Sequence, residues 1–322
     1  MGGASHPRHG SMQFWPRKRA KHSLARIRTW SKNSNKVKLL GFIVYKAGMT
    51  HLQVLDNRPK SATKGENIIA PVTIIECPPL TIIGVSFYTS SIYGLRKSIT
   101  ILAEKLSPEI ARTIQLPKKA IKKIEEVKDF VDLRLLAASS PKLTGIGTKK
   151  PKVLEIVLGG SKEEKLSYAK EKLGKEIKVS EVLEAGKQVD LHGISKGKGF
   201  QGTVKRFGVP IRQHKAEKTK RGIGTLGPWH PNRILYTVPQ PGKMGYHLRT
   251  EYNKVIMKIG NETKDLNPSG GFKHYGLVKN DYLLVYGSVI GPVKRPVVLI
   301  ESIRPDEKKP KEAPEITYLH RK

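Results

Sequence analysis

Residues 193–233 read GISKGKGFQGTVKRFGVPIRQHKAEKTKRGIGTLGPWHPNR, and this stretch decides how the rest of the chain must be built. Ten of its residues are cationic (Lys196, Lys198, Lys205, Arg206, Arg212, Lys215, Lys218, Lys220, Arg221 and Arg233), against one acid, Glu217. Seven glycines run from Gly197 to Gly227, and the apolar runs between them are short. Such a segment cannot bury enough apolar surface to offset the entropy of ordering itself, so it is expected to order only against a polyanion. Glycine lets the backbone approach that surface closely. Phe200, Phe207 and Trp229 punctuate the run, and aromatics among cations suit stacking on unpaired bases. The segment therefore reads as a long loop, carried by elements elsewhere that own the core.

Those elements lie on both sides. Lys187–Ile194 reads as a strand entering the loop, and Arg233–Val238, Tyr252–Ile259, Tyr282–Gly291 and Arg295–Ile303 read as strands after it. Earlier, Leu39–Tyr45 and His51–Leu55 read as two strands joined by the turn Lys46-Ala47-Gly48-Met49. Ile68–Glu76 and Leu80–Tyr88 flank Pro78-Pro79 as a second hairpin-like pair. The spacing points to an antiparallel sheet or barrel. Between the two β blocks, residues 95–186 carry helical signals. Ser107-Pro108 reads as a helix start, and Ile121, Ile124, Val127, Val131 and Leu135 as one apolar helix face. Ser161 with Glu164 makes a capping box, Gly174 a stop, and Lys152–Leu158 a strand candidate. The expected class is mixed β and α/β, with an α/β block inserted into an antiparallel β domain. The boundaries are 1–36 for a basic N-terminal arm, 37–94 and 187–304 for the β domain with its basic loop 195–233, 95–186 for the insertion and 305–322 for the tail.

The chain has 322 residues, a formal net charge of +33 and a pI near 10.1. Charge of that size strains a free compact protein, so a polyanionic partner is implied. It is unevenly spread: residues 95–190 carry 21 bases and 14 acids, whereas the other 226 carry 39 and 13. The insertion reads as solvent-facing and the flanks as polyanion-binding. Residues 1–36 hold nine cations and no acid, interrupted by Phe14, Trp15 and Trp30, as an arm entering folded nucleic acid would. The lone Cys77 excludes an intramolecular disulfide framework and a multi-cysteine zinc site, and fits a reducing compartment. No apolar run reaches the ~18 residues of a transmembrane helix. No membrane, metal, cofactor or small-molecule substrate is expected.

Apparent catalytic motifs fail on context. Gly197-Lys198-Gly199-Phe200-Gln201-Gly202 fits G-x-G-x-x-G, yet Gly208 and Pro210 follow where a dinucleotide site needs a long helix. The kinase signatures H-R-D and D-F-G are missing from the sequence. His230 and His247 lack an evident carboxylate orienter nearby and suit contact with nucleic acid better than acid–base work.

Several long motifs resemble one family. Pro7-Arg8-His9-Gly10-Ser11, Pro16-Arg17-Lys18-Arg19-Ala20, Gly41-Phe42 and Lys46-Ala47-Gly48-Met49-Thr50 resemble the start of the large-subunit ribosomal protein L-three family. Gly193–Phe200, Trp229-His230-Pro231 and Gly245-Tyr246-His247-Leu248-Arg249-Thr250 extend the match in order to about residue 303. The N-terminal extension and Trp229-His230-Pro231 resemble the archaeal and eukaryotic branch, and the short tail favours an archaeal member. The resemblance implies a β-barrel of the translation-protein type with an inserted α/β domain, in the large ribosomal subunit of the cytoplasm. It implies direct, early binding to large-subunit ribosomal RNA, neighbouring ribosomal proteins as partners, and a tryptophan finger at Trp229 approaching the peptidyl transferase centre. The expected RNA contacts are Arg8, His9, Trp15, Arg17, Lys18 and Arg19 in the arm. In and after the loop they are Lys196, Lys198, Phe200, Lys205, Arg206, Arg212, His214, Lys215, Lys218, Lys220, Arg221, Trp229, His230, Arg233, His247 and Arg249. The competing readings are an RNA-modifying enzyme and another basic RNA- or DNA-binding protein.

Overall fold

The structure, a computed structural model, describes residues 15–31, 36–117, 124–127, 129–216 and 218–320. Its strands in chain order are β1 (Gly41–Leu55), β2 (Asn67–Glu76), β3 (Leu80–Ser91), β4 (Gly94–Leu102), β5 (Asp132–Ser139), β6 (Val153–Val157), β7 (Glu176–Ile177), β8 (Gln188–Ile194), β9 (Gly197–Gln201), β10 (Gly242–Gly245), β11 (Leu248–Gly260), β12 (Tyr282–Tyr286), β13 (Pro296–Glu301) and β14 (Ile316–Leu319). The helices are α1 (Lys162–Lys172) and the short α2 (Thr203–Phe207). The fold is thus β-rich with little helix. Among the described residues no helix is long and apolar enough to cross a membrane.

The chain divides into two compact units. Residues 23–193 and 249–322 form the larger, which holds two sheets. The first has the order β13-β8-β11-β12-β2-β1-β14, with β13 also pairing β1. It contains buried apolar runs such as Phe42-Ile43-Val44 and Val297-Val298-Leu299-Ile300. The second sheet has the order β4-β3-β5-β6, with β7 beside β3 and α1 close to β5. Phe87, Leu133 and Leu135 from the second sheet and Phe42, Ile75 and Leu299 from the first share one buried cluster. Each fully buried side chain of this size contributes about 1.5–3 kcal/mol.

Several local expectations are corrected. Residues 39–55 are not two strands with a turn, because β1 runs through Lys46–Met49 and absorbs one residue as a bulge. Lys46 is buried there and its ammonium donates to the carbonyls of Val289 and Gly291, so it has no use for a solvent-facing turn. β2 and β3 do not pair. Pro78-Pro79 lacks two ladder donors and carries the chain from one sheet to the other. The supposed helical face ends in β5, where Leu133, Leu135 and Ala137 are buried at every second position. The four-residue step from Val131 to Leu135 fits a helix and a strand equally, and the open edges of β3 and β6 decided it. Ile121 lies outside the described residues. Ser107-Pro108 opens only a single 3₁₀ turn, Ile110–Arg112. Residues 233–238 form no strand, and β12 stops at Tyr286. Trp30, read as part of the RNA-seeking arm, packs on the core and over Gly41, where a Cβ would lie 2.9 Å from its ring.

Other expectations hold. Ser161 and Glu164 form the capping box of α1, with the Ser161 N–H donating to Glu164 Oε2 at 2.8 Å. Gly174 follows the helix at φ +77°. Glu76, fully buried, fastens the 275–280 segment to β2. Its Oε1 accepts from the N–H groups of Lys279 and Asn280 and from the Asn280 side chain, and its Oε2 from the Tyr275 hydroxyl.

Candidate nucleic-acid interface

The smaller unit, residues 1–22 and 194–248, contains nearly all of the cationic stretch 193–233. Its foundation is a two-stranded ribbon in which β9 pairs β10, with Gln201 opposite Gly242 and Phe200 opposite Lys243. The ribbon requires glycine at Gly245, where φ is +76° and a Cβ would sit 2.0 Å from the Lys196 carbonyl oxygen. After β9 the chain turns into α2, which buries Thr203 and Phe207 and stops at Gly208 in the left-handed region, φ +71°.

Phe207 makes a small core for this unit. Trp15 stacks on it with centroids 5.5 Å apart and planes 25° apart, and Tyr236 meets Trp15 edge-on at 6.0 Å. The Arg17 guanidinium lies 4.3 Å from the Phe207 centroid, and that of Arg206 lies 5.0 Å from it. Arg17 Nη1 donates to the Arg206 carbonyl at 3.0 Å, and Arg206 Nη1 to the Gln240 carbonyl at 2.7 Å. Burial pulls the Arg206 guanidinium below its ordinary pKa. The arm is held further along by backbone bonds. Ala20 N–H donates to the Tyr246 carbonyl at 2.8 Å, and His247 Nδ1 lies 2.7 Å from the Lys18 carbonyl oxygen, so that nitrogen is the protonated one.

These contacts sort the expected site residues. Trp15, Arg17, Arg206 and His247 are partly or fully buried and bind the arm to the loop. Arg212 is half-buried, its Nη2 donating to the Ile223 carbonyl at 3.2 Å. Lys18, Arg19, Lys196, Lys198, Lys205, His214, Lys215, Lys218, Lys220, Arg221, His230 and Arg233 are exposed, together with Phe200 and Trp229, the latter at 79%. Arg249 falls in the larger unit, half-buried, with its pKa lowered by burial. Arg8 and His9 lie outside the described residues. Sequence reasoning missed Tyr236, Tyr246 and the returning strand β10. It read Phe207 as a candidate for base stacking, whereas the ring is 4% exposed beneath Trp15. A Thr-Val-Lys-Arg-Phe-Gly segment with Gly at the helix-stop position was the available signal for α2.

The family model described as Ribosomal protein L3 matches residues 1–320. The large ribosomal subunit protein uL3 of Methanocaldococcus jannaschii is 46% identical over 97% of this chain and 96% of the relative. Those of Methanococcus maripaludis and Methanobrevibacter smithii are also 46% identical, each over 98% of this chain and 96–97% of the relative. With a model match over almost the whole chain and full-length relatives from archaea, the chain belongs to the ribosomal protein L3 family.

Proposed function

We propose that the chain is a structural constituent of the large ribosomal subunit in the cytoplasm and grips its ribosomal RNA through the smaller unit. One observation carries this reading. That unit holds 16 lysines and arginines against the single acid Glu217, and most of these cations are exposed. Phosphate contacts supply most of such binding, and the released counterions make it steeply salt-dependent. The buried set Trp15, Arg17, Arg206 and His247 shapes the unit, and the exposed cations with Phe200 and Trp229 meet the RNA. The resemblance adds early binding during assembly and an approach of Trp229 to the peptidyl transferase centre. It also supports reading residues 95–186 as an inserted domain. Closure of β1, β2, β12, β11, β8 and β13 into a translation-protein barrel is part of the same proposal, and the extra β13–β1 pairing supports it. The enzyme reading has no catalytic family behind it: the relatives are named as ribosomal proteins.

The test is binding of the full chain to purified archaeal large-subunit ribosomal RNA across a salt series. The expected result is a linear fall of log affinity with log salt, of slope about −5 or steeper, for six or more phosphate contacts. Salt-independent binding, or no binding at low salt, would overturn the proposal.

A further inference from the structure

The β3–β4 hairpin carries a feature that neither the core nor the basic unit uses. Its two-residue tip is Ile92-Tyr93, between Ser91 and Gly94, which face each other across the ladder. Ile92 is 97% exposed and Tyr93 98%, so neither side chain packs on this chain. Leu95, on the descending strand, is 49% exposed. Two-residue hairpin tips favour Asn, Asp and Gly, because tight turns need positive φ. Here Gly94, at φ +103°, supplies the left-handed step, and Ile92 and Tyr93 are not among the residues with positive φ. The turn thus places no demand on their side chains, and neither does packing. Two large apolar groups held out at the end of a stiff ribbon are left without a purpose inside the protein.

The surrounding charge says what they meet. From Cys77 to Ala103 the chain has no acid, and Arg96 follows three residues after Tyr93, exposed and with no acidic partner among the described residues. Glu155, the acid that faces the stem, already accepts from Lys97, Tyr88 and Ser86, so it presents no uncompensated charge to an approaching phosphate. A flat ring with both faces free, a cation close by and no competing acid is the combination that stacks on an unpaired base while its neighbour meets the backbone.

We infer that the tip of the β3–β4 hairpin is a second RNA contact, separate from the basic unit, with Tyr93 stacking on an unpaired base and Arg96 holding an adjacent phosphate. This rests on the reading of the chain as an RNA-binding ribosomal protein. It also qualifies the expectation that the region from residue 95 onward only faces solvent.

The test uses the full chain, purified archaeal large-subunit ribosomal RNA and three variants, Tyr93→Ser, Tyr93→Phe and Arg96→Gln. Tyr93→Ser is expected to bind roughly five- to a hundredfold more weakly, with the salt slope unchanged. Tyr93→Phe keeps the ring and binds like the parent chain. Arg96→Gln makes the salt slope shallower by about one. All three melt at the parent temperature. Parent-like binding by Tyr93→Ser overturns the inference and points instead to a protein pocket as the occupant of the tip. A lowered melting temperature in that variant overturns it too, since the ring would then serve the fold. If the parent chain itself shows no salt-dependent binding, the functional proposal falls first and this inference with it. Parent binding with an indifferent Tyr93→Ser removes this inference alone.

Discussion

Trp15 lies on Phe207 across 192 positions of sequence, ring on ring at 5.5 Å, with the Arg17 guanidinium 4.3 Å from the same phenyl centroid. This one contact turns a basic arm and a basic loop into a single unit with a core, although the composition of each forbids a core of its own. Cations that would repel one another are instead spread over aromatic faces, where the ring quadrupole attracts them.

Phe207→Ala should therefore dissolve the smaller unit and spare the larger one. Truncating a buried phenylalanine costs about 3–5 kcal/mol, and the lost stack adds about 0.5–1.5 kcal/mol. Hydrogen exchange should show protection lost over 197–208 and 242–247, while β1, β3 and β13 keep theirs. Protection unchanged in the ribbon would show that the aromatic contact does not hold the unit together.

Trp229→Ala should leave the melting temperature of the free protein unchanged, because the ring is 79% exposed. Affinity for large-subunit ribosomal RNA should drop by the equivalent of about 1–3 kcal/mol if the ring stacks on a base. A destabilised free protein with undiminished RNA binding would place Trp229 in the fold rather than at the interface.

Glu76→Gln should destabilise the larger unit. The carboxylate accepts four hydrogen bonds at a fully buried site, and an amide would turn donors toward donors. Hydrogen bonds to a charged group are each worth about 1.5–3 kcal/mol, so a lowered urea midpoint is expected, with exchange rising first at 275–281. A midpoint equal to the parent's would mean that the 275–280 segment is held by its apolar residues, Tyr275 and Val278, alone.

His192 supplies the pH dependence. Burial pulls its imidazole below the ordinary value of 6.5, against the opposing charge of Asp190, and its Nδ1 lies 3.0 Å from Thr250 Oγ1. The unfolded chain then takes up a proton that the folded chain refuses. The stability from this group is complete above about pH 6.5 and declines as the pH falls from there toward the lower folded value. Urea midpoints should fall between about pH 7 and 5 for the parent chain, and more shallowly for His192→Gln. Equal slopes in the two proteins would exclude this group as the cause.

Much of this protein is legible in its sequence. The strand 296–301 appears as an unbroken apolar run, Val297-Val298-Leu299-Ile300, because both of its faces are covered. The capping box of α1 was readable because it is closed by two residues three apart. Charge was readable because it needs no fold: a stretch with ten cations and one acid seeks a polyanion in any conformation. The helical reading of residues 121–135 failed where a spacing of four serves two periods and only the neighbouring strands break the tie.

By itself, then, the order of residues determined the β-rich class and the cationic loop, since each depends on local composition or on a short repeat. The tertiary structure alone decided which aromatics face inward, because Phe207 and Phe200 have the same chemistry and differ only in what the chain brings to them. Phe207 is covered by a ring 192 residues away, and Phe200, seven residues before it, stays open to solvent at 72%. Burial of one and exposure of the other is a long-range contact, and no spacing within the loop could encode it.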